Sequence, residues 1–165
     1  LATLTLIYED QGRRSILASM KQSSREKAVW DQTSTPVVLR RAEKKQKIRL
    51  RLPYSADNRQ WLKNNRRIHP IWVESGKYWE LPKTWFDDFV NRALIRYGQV
   101  YIFQPHRELE KCAPACQGAT GHDCNCSCMG ANHGAGSDGS WFEVSETFSF
   151  RWHSQPLACR LLTRK

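Results

Sequence analysis

Five of the six cysteines and two of the five histidines lie in the 22 residues from Cys112 to His133, CAPACQGATGHDCNCSCMGANH. Such density needs a chemical reason, and metal binding supplies one. Thiolates and imidazoles are the usual ligands of structural zinc, which takes four of them in a tetrahedron, each ~2.0–2.3 Å from the ion. Six candidates compete for those places: Cys112, Cys116, Cys124, Cys126, Cys128 and His133.

Spacing narrows the choice. Cys112 and Cys116 stand four apart, which suits one turn of helix or a loop closed by Pro114, with both thiols directed at one ion. Cys124, Cys126 and Cys128 alternate, and an extended backbone would hold neighbouring members ~6.6 Å apart on one face. Two sulfurs on one zinc sit closer than that, so the CNCSC run has to bend around the ion. Nearby glycines such as Gly121 and Gly130 permit the bend, because glycine takes positive φ without steric cost. The expected arrangement is one pair from Cys112 and Cys116, and a second drawn from the Cys124–Cys128 run or His133. The competing reading of six cysteines is a disulfide framework, which suits secreted domains of fewer than ~100 residues better than this chain of 165. Cys159 stands apart in LACRLL and reads as a small buried hydrophobe.

The length allows one domain, or a small domain with an appendage, and enough burial for a real core. No apolar run approaches the ~18 residues that cross a bilayer, and no charged n-region followed by an apolar stretch and cleavage site is visible. The expectation is a cytoplasmic location without membrane contact, where thiols stay reduced and available to metal. A Gly-rich phosphate loop ending in Lys-Ser or Lys-Thr is missing, so nucleotide hydrolysis has no support.

Charge points to the partner. Twenty-six Lys and Arg against sixteen Asp and Glu leave a net +10, the balance of a polyanion binder. Seven of the twelve residues from Arg40 to Arg51 are basic (Arg40, Arg41, Lys44, Lys45, Lys47, Arg49, Arg51), and Lys63, Arg66 and Arg67 follow. A charge run is often no more than a solvated face. Here it adjoins Trp61, Trp72, Tyr78, Trp79, Trp85 and Phe86, and cations interleaved with aromatics are what stacking on bases requires. Most of these rings belong to a core, and one or two, Trp72 and Trp79, are expected at the surface.

Periodicity outlines the fold. Ile48, Leu50 and Leu52 alternate with Arg49 and Arg51, a strand with aliphatics inward and arginines outward. Ser55 offers an N-cap for a helix through about Asn64 that turns Trp61 and Leu62 inward. HPIWV and KYWEL read as strands joined by a turn at Glu74–Lys77. Thr84 is expected to cap a helix with Phe86, Phe89, Val90, Ala93, Leu94 and Tyr97 at helical spacing, ended by Gly98. QVYIFQ is the next strand, and SWFEVSETFSFRWH and LACRLLT close an antiparallel sheet. The expected class is α+β: a mixed or antiparallel sheet with two or three helices and a Gly/Cys-rich zinc-knot insertion. Residues 1–39 read as an N-terminal extension or arm, 40–165 as the domain, and 106–139 as its inserted metal-binding loop region.

The order of elements in residues 48–98 resembles the HARP domain of annealing helicases. An alternating strand ends at Pro53-Tyr54 before a helix, and Lys77-Tyr78-Trp79 opens a strand before the next. The resemblance implies binding of branched or forked DNA, although no helicase motor is present and the cysteine-rich insert lies outside the pattern.

The leading functional expectation is a zinc-stabilised nucleic-acid-binding protein, with DNA favoured. In it Arg40, Arg41, Lys44, Lys45, Lys47, Arg49, Arg51, Lys63, Arg66 and Arg67 meet phosphates, and Trp72 and Trp79 lie beside them. The alternative is a small metal-dependent nuclease of restriction or homing type, with His122, Asp123 and His133 as its catalytic set. A third reading is a zinc-knot adaptor for protein partners, whose basic surface only maintains solubility.

Overall fold

The computed structural model describes residues 25–107, 109, 112, 114–117, 119, 121–124, 128–130 and 141–165. Over these residues the chain is α+β, built on a mixed sheet of seven strands. They are β1 (Val37–Leu39), β2 (Ile48–Arg51), β3 (Ile71–Val73), β4 (Tyr78–Leu81), β5 (Gln99–Pro105), β6 (Phe142–Trp152) and β7 (Gln155–Arg164). Their spatial order is β3-β4-β2-β1-β5-β7-β6. β1 and β5 run parallel, and the remaining pairs are antiparallel. Among the described residues there are four helical segments: α1 (residues 25–31), α2 (Asn58–Lys63), α3 (Phe86–Tyr97) and α4 (Pro114–Gln117). That is one or two more than expected, and α4 is a single turn. No helix among the described residues is long and apolar enough to cross a membrane.

The alternating pattern of β2 holds, with Ile48 and Leu50 fully buried and Arg49 and Arg51 at the partly exposed positions between them. β1 departs from expectation. Val37–Leu39 falls in the segment assigned to an N-terminal arm, yet it is the central strand, paired with β2 on one side and β5 on the other. A strand buried on both faces is a continuous apolar run, and three residues are too few to display any period. The helix over residues 25–31 also belongs to the domain, since Val29 and Trp30 pack on the sheet.

Two cores result, one on each face of the sheet. On the first, α3 sets Phe86, Phe89, Val90, Ala93 and Leu94 against Val38, Ile48, Leu50, Val100, Ile102 and Leu162. On the second, Val37, Leu39, Phe103, Phe148, Phe150, Leu157 and Cys159 pack together beneath Val29, Trp30 and Trp152. Cys159 is therefore the buried hydrophobe expected of it. Burial raises its thiol pKa well above the usual range, with nearby Glu146 adding to the effect.

β6 serves both cores through a bulge. Phe142, Val144, Phe148 and Phe150 share one parity, so a regular strand would put all four on one face. The register shift between Val144 and Glu146 inserts one residue against β7, leaving Phe142 and Val144 on the α3 face and moving Phe148 and Phe150 to the other.

The helix ends differ in how well spacing anticipated them. Gly98 stands in the left-handed region at φ 78°, and its N–H donates to Leu94 O at 2.9 Å, the expected C-terminal stop. At the other end Thr84 does not cap α3. A 3₁₀ turn, Lys83–Trp85, leads into the helix, and Trp85 occupies the N-cap without a side-chain hydrogen bond. Ser55 likewise gives way to Asp57 as the N-cap of α2.

Candidate metal centre and aromatic groove

Beyond β5 the chain leaves the sheet and returns with four cysteines gathered. The one-turn helix α4 carries Cys116, and Cys112 precedes it by four residues. The Sγ–Sγ separations are 3.8 Å for Cys116–Cys124, 3.9 Å for Cys116–Cys128 and 3.7 Å for Cys124–Cys128. A tetrahedral ion with metal–sulfur bonds of ~2.3 Å has edges of ~3.8 Å, so these three thiols already form one face of such a tetrahedron. They are too far apart for disulfides, whose sulfurs lie ~2.05 Å apart. The Cys112, Cys116 and Cys128 sulfurs all lie within 4.8 Å of one another, which adds Cys112 at the fourth corner. These cysteines can hold a metal ion, with two ligands from each side of the loop, at spacing C-x3-C and C-x3-C. Cys126 and His133, the other expected ligands, lie outside the described residues.

Among the described residues, polar contacts of His122 and Asp123 fix the loop to the sheet and α3. The His122 N–H donates to Asp87 Oδ1 at 2.7 Å, and its Nε2 lies 2.8 Å from Asn91 Oδ1. Asp123 accepts from Arg40 Nη2 at 2.9 Å, and Arg40 Nε pairs with the same carboxylate. From the floor, Arg160 Nη2 donates to His122 O. Each contact lies within two residues of Cys124, which is buried. After Cys128 the backbone turns through two left-handed residues, Met129 at φ 52° and Gly130 at φ 84°.

These contacts revise the roles expected of three residues. Arg40, expected on phosphate, is only 8 % exposed and is engaged by Asp123. His122, an alternative catalytic base, is buried with its ring nitrogen on Asn91 and its ring 5.2 Å from that of Phe142. Asp123, its expected partner, bonds an arginine. His133, the third member of that set, lies outside the described residues.

The remaining basic residues divide into two groups. Arg41 donates to Lys47 O, Arg49 pairs with Glu80, Arg51 bonds Trp30 O and Asp31, and Arg66 pairs with Asp88 while lying 4.4 Å from the Trp85 ring centroid. Lys63 is half-buried in the last turn of α2. Lys44, Lys45, Lys47 and Arg67 are exposed. The three lysines ride on the β1–β2 connection, which Lys83 Nζ clamps through the carbonyls of Arg41, Ala42 and Glu43. Because Arg40 opens that connection and bonds Asp123, the lysines sit at the metal end of the sheet.

At the opposite end of β2 a groove of about 600 Å³ opens between the strand's exit, α2 and the β3–β4 hairpin. Its aromatic lining is Tyr54, 94 % exposed, with Trp72 and Trp79 packed at 5.1 Å between ring centroids. Its cations are Arg51, Arg59 and Lys77, and Arg59 lies 5.1 Å from the Trp79 centroid. Trp72 is held by its Nε1–H on Glu74 Oε2 at 2.7 Å, which keeps its ring at the surface. Trp72 is exposed as expected, whereas Trp79, also expected at the surface, is half-buried and packs against the first core. Tyr54 and Arg59 were not expected in a site, since only the fold brings residues from the Pro53-Tyr54 step and α2 beside the hairpin.

Comparison with known proteins found no matching family model, no matching curated protein and no matching solved structure.

Proposed function

We propose that this chain is a zinc-stabilised nucleic-acid-binding module acting in the reducing cytoplasm, with DNA as its favoured ligand. The observation that carries the reading is the groove, where exposed aromatic rings stand among Arg51, Arg59 and Lys77. Rings accept stacked bases at ~1–3 kcal/mol each, while cations meet phosphates without reading sequence. Lys44, Lys45, Lys47 and Arg67 extend the electrostatic contact beyond the groove. The HARP-like order of residues 48–98 leans the ligand toward branched or forked DNA.

Zinc is the ion best matched to four thiolates at tetrahedral spacing. Cys112, Cys116, Cys124 and Cys128 would hold it, and a closed four-ligand shell supplies folding stability rather than an open position for catalysis. The chain's own contribution is to pin the ligand loop to α3 and β7. The nuclease reading draws less support, because His122 is enclosed and Asp123 is bonded to Arg40. The adaptor reading does not explain why the aromatic groove is lined with cations.

Metal analysis of purified protein paired with fluorescence anisotropy on labelled DNA tests the proposal. About one zinc per chain and DNA binding that weakens in Trp72→Ala are expected. Metal-free protein with unchanged melting after chelation would sink the zinc assignment, and unaltered binding by Trp72→Ala would sink the groove.

A further inference from the structure

Arg160 is a buried cation whose position is not explained by the core around it. It stands on β7 opposite Ile102, with the parity of Ala158 and Leu162, so its side chain enters the α3 face. It is 1 % exposed, the bulkiest of the fully buried side chains. No described carboxylate forms an ion pair with it, and Asp123, on the cysteine loop, is bonded to Arg40.

The guanidinium instead reaches both halves of the cysteine loop. Nη2 donates to His122 O, two residues before Cys124. Cδ and Nη1 lie so close to Gly130, two residues after Cys128, that a Cβ there would stand 2.5 Å from each. The arginine is thus wedged between the two segments that deliver Cys124 and Cys128.

A buried charge without a partner is strongly destabilising. Four neutral thiols would leave Arg160 in that condition. Four thiolates around a divalent ion carry two negative charges in excess, and a guanidinium beneath them supplies one of the two compensating charges. Replacing a thiolate ligand by a neutral imidazole would remove part of that match.

We infer that Arg160 is the counter-ion of an anionic metal–tetrathiolate centre, a positioning residue that couples metal loading to docking of the cysteine loop on β7. This inference rests on the metal reading above and goes beyond it by specifying the charge of the centre and the residue that balances it.

The test is zinc affinity of the full chain, measured by competition with a chromophoric chelator, together with denaturant unfolding of the zinc-loaded and metal-free proteins. Arg160→Met keeps most of the stem and removes the charge, and is expected to weaken zinc binding ~10–100-fold, the usual effect of losing an outer-shell partner. The metal-free Arg160→Met protein should be at least as stable as metal-free wild type, because an uncompensated charge has gone. Arg160→Lys should recover most of the lost affinity. A Met variant with wild-type zinc affinity, or one destabilised equally with and without zinc, would reduce Arg160 to a packing element and overturn the inference. If the Met variant does not fold, the Lys variant decides: near-wild-type affinity supports the counter-ion, and a ~100-fold loss despite retained charge overturns it. A wild type that takes up no zinc fails the metal reading itself, and the counter-ion with it.

Discussion

Gly130→Ala offers a direct test of how closely the cysteine loop approaches β7, because Gly98→Ala provides a matched control. Both glycines occupy the left-handed region, at φ 84° and 78°. An alanine there costs ~1–2 kcal/mol from backbone strain alone. At Gly98 nothing lies within 4 Å of the added Cβ, so that is the whole cost. At Gly130 the Cβ would stand 2.5 Å from Arg160 Cδ and Nη1, and displacing a buried side chain adds ~1–3 kcal/mol. The expected losses are therefore about 1–2 kcal/mol for Gly98→Ala and about 2–5 kcal/mol for Gly130→Ala. For a chain of this size each kcal/mol lowers Tm by ~2–4 °C. Urea unfolding of the zinc-loaded proteins, with unchanged m, measures both. Equal losses in the two variants would refute the close packing of the loop on Arg160.

Further outcomes follow from other contacts. Asp87→Ala removes the acceptor for the His122 N–H and should weaken zinc retention against a chelator while leaving helix content unchanged; undiminished retention would show that this tether does not position Cys124. Cys159 should resist alkylation by iodoacetamide at pH 8 in the folded protein, because its thiol is buried and its pKa raised, and mass spectrometry finding it modified as fast as an exposed thiol would contradict its burial. Asp57 is exposed, and its carboxyl pKa is lowered first by hydrogen bonds from Arg96 and Ser55. A depressed carboxylate stabilises the fold above its unfolded pKa and loses that contribution as pH falls through the folded one, so any contribution starts to decline at about pH 4 and is gone only below the folded pKa. Arg96→Met should flatten this acid limb slightly, and an unchanged limb would mean the pair is inert.

What the sequence revealed depended on the range of the interaction concerned. β2, α3 and β5 were legible because Ile48 and Leu50, or Phe89, Ala93 and Leu94, repeat at the period of their own element, and Gly98 marks a local stop. The closeness of Cys112 to Cys116 and of Cys124 to Cys128 was legible because ligand geometry restricts short spacings. β1 was not, since Val37–Leu39 earns its place only by lying between β2 and β5. Nor was the division of the arginines: a run of cations looks alike whether each meets solvent or a carboxylate, and Arg40 finds Asp123 83 positions away. Arg160 was hidden within LACRLL, where one charge in an apolar strand was the available sign of a buried site. The switch of faces in β6 left no sign in the alternation of Phe142, Val144, Phe148 and Phe150, because a bulge at Ser145 is decided by pairing with β7.

The most direct measurement is the DNA affinity of zinc-loaded protein from low to moderate salt, compared with that of the Lys44→Ala, Lys45→Ala, Lys47→Ala triple variant. Each phosphate contact contributes about −0.7 to −0.9 to the slope of log K against log salt. The expected result is a steep negative slope that becomes shallower by as much as ~2–3 in the triple variant, with stacking on Trp72 retained. Binding that is absent, or insensitive to salt, would contradict a nucleic-acid function.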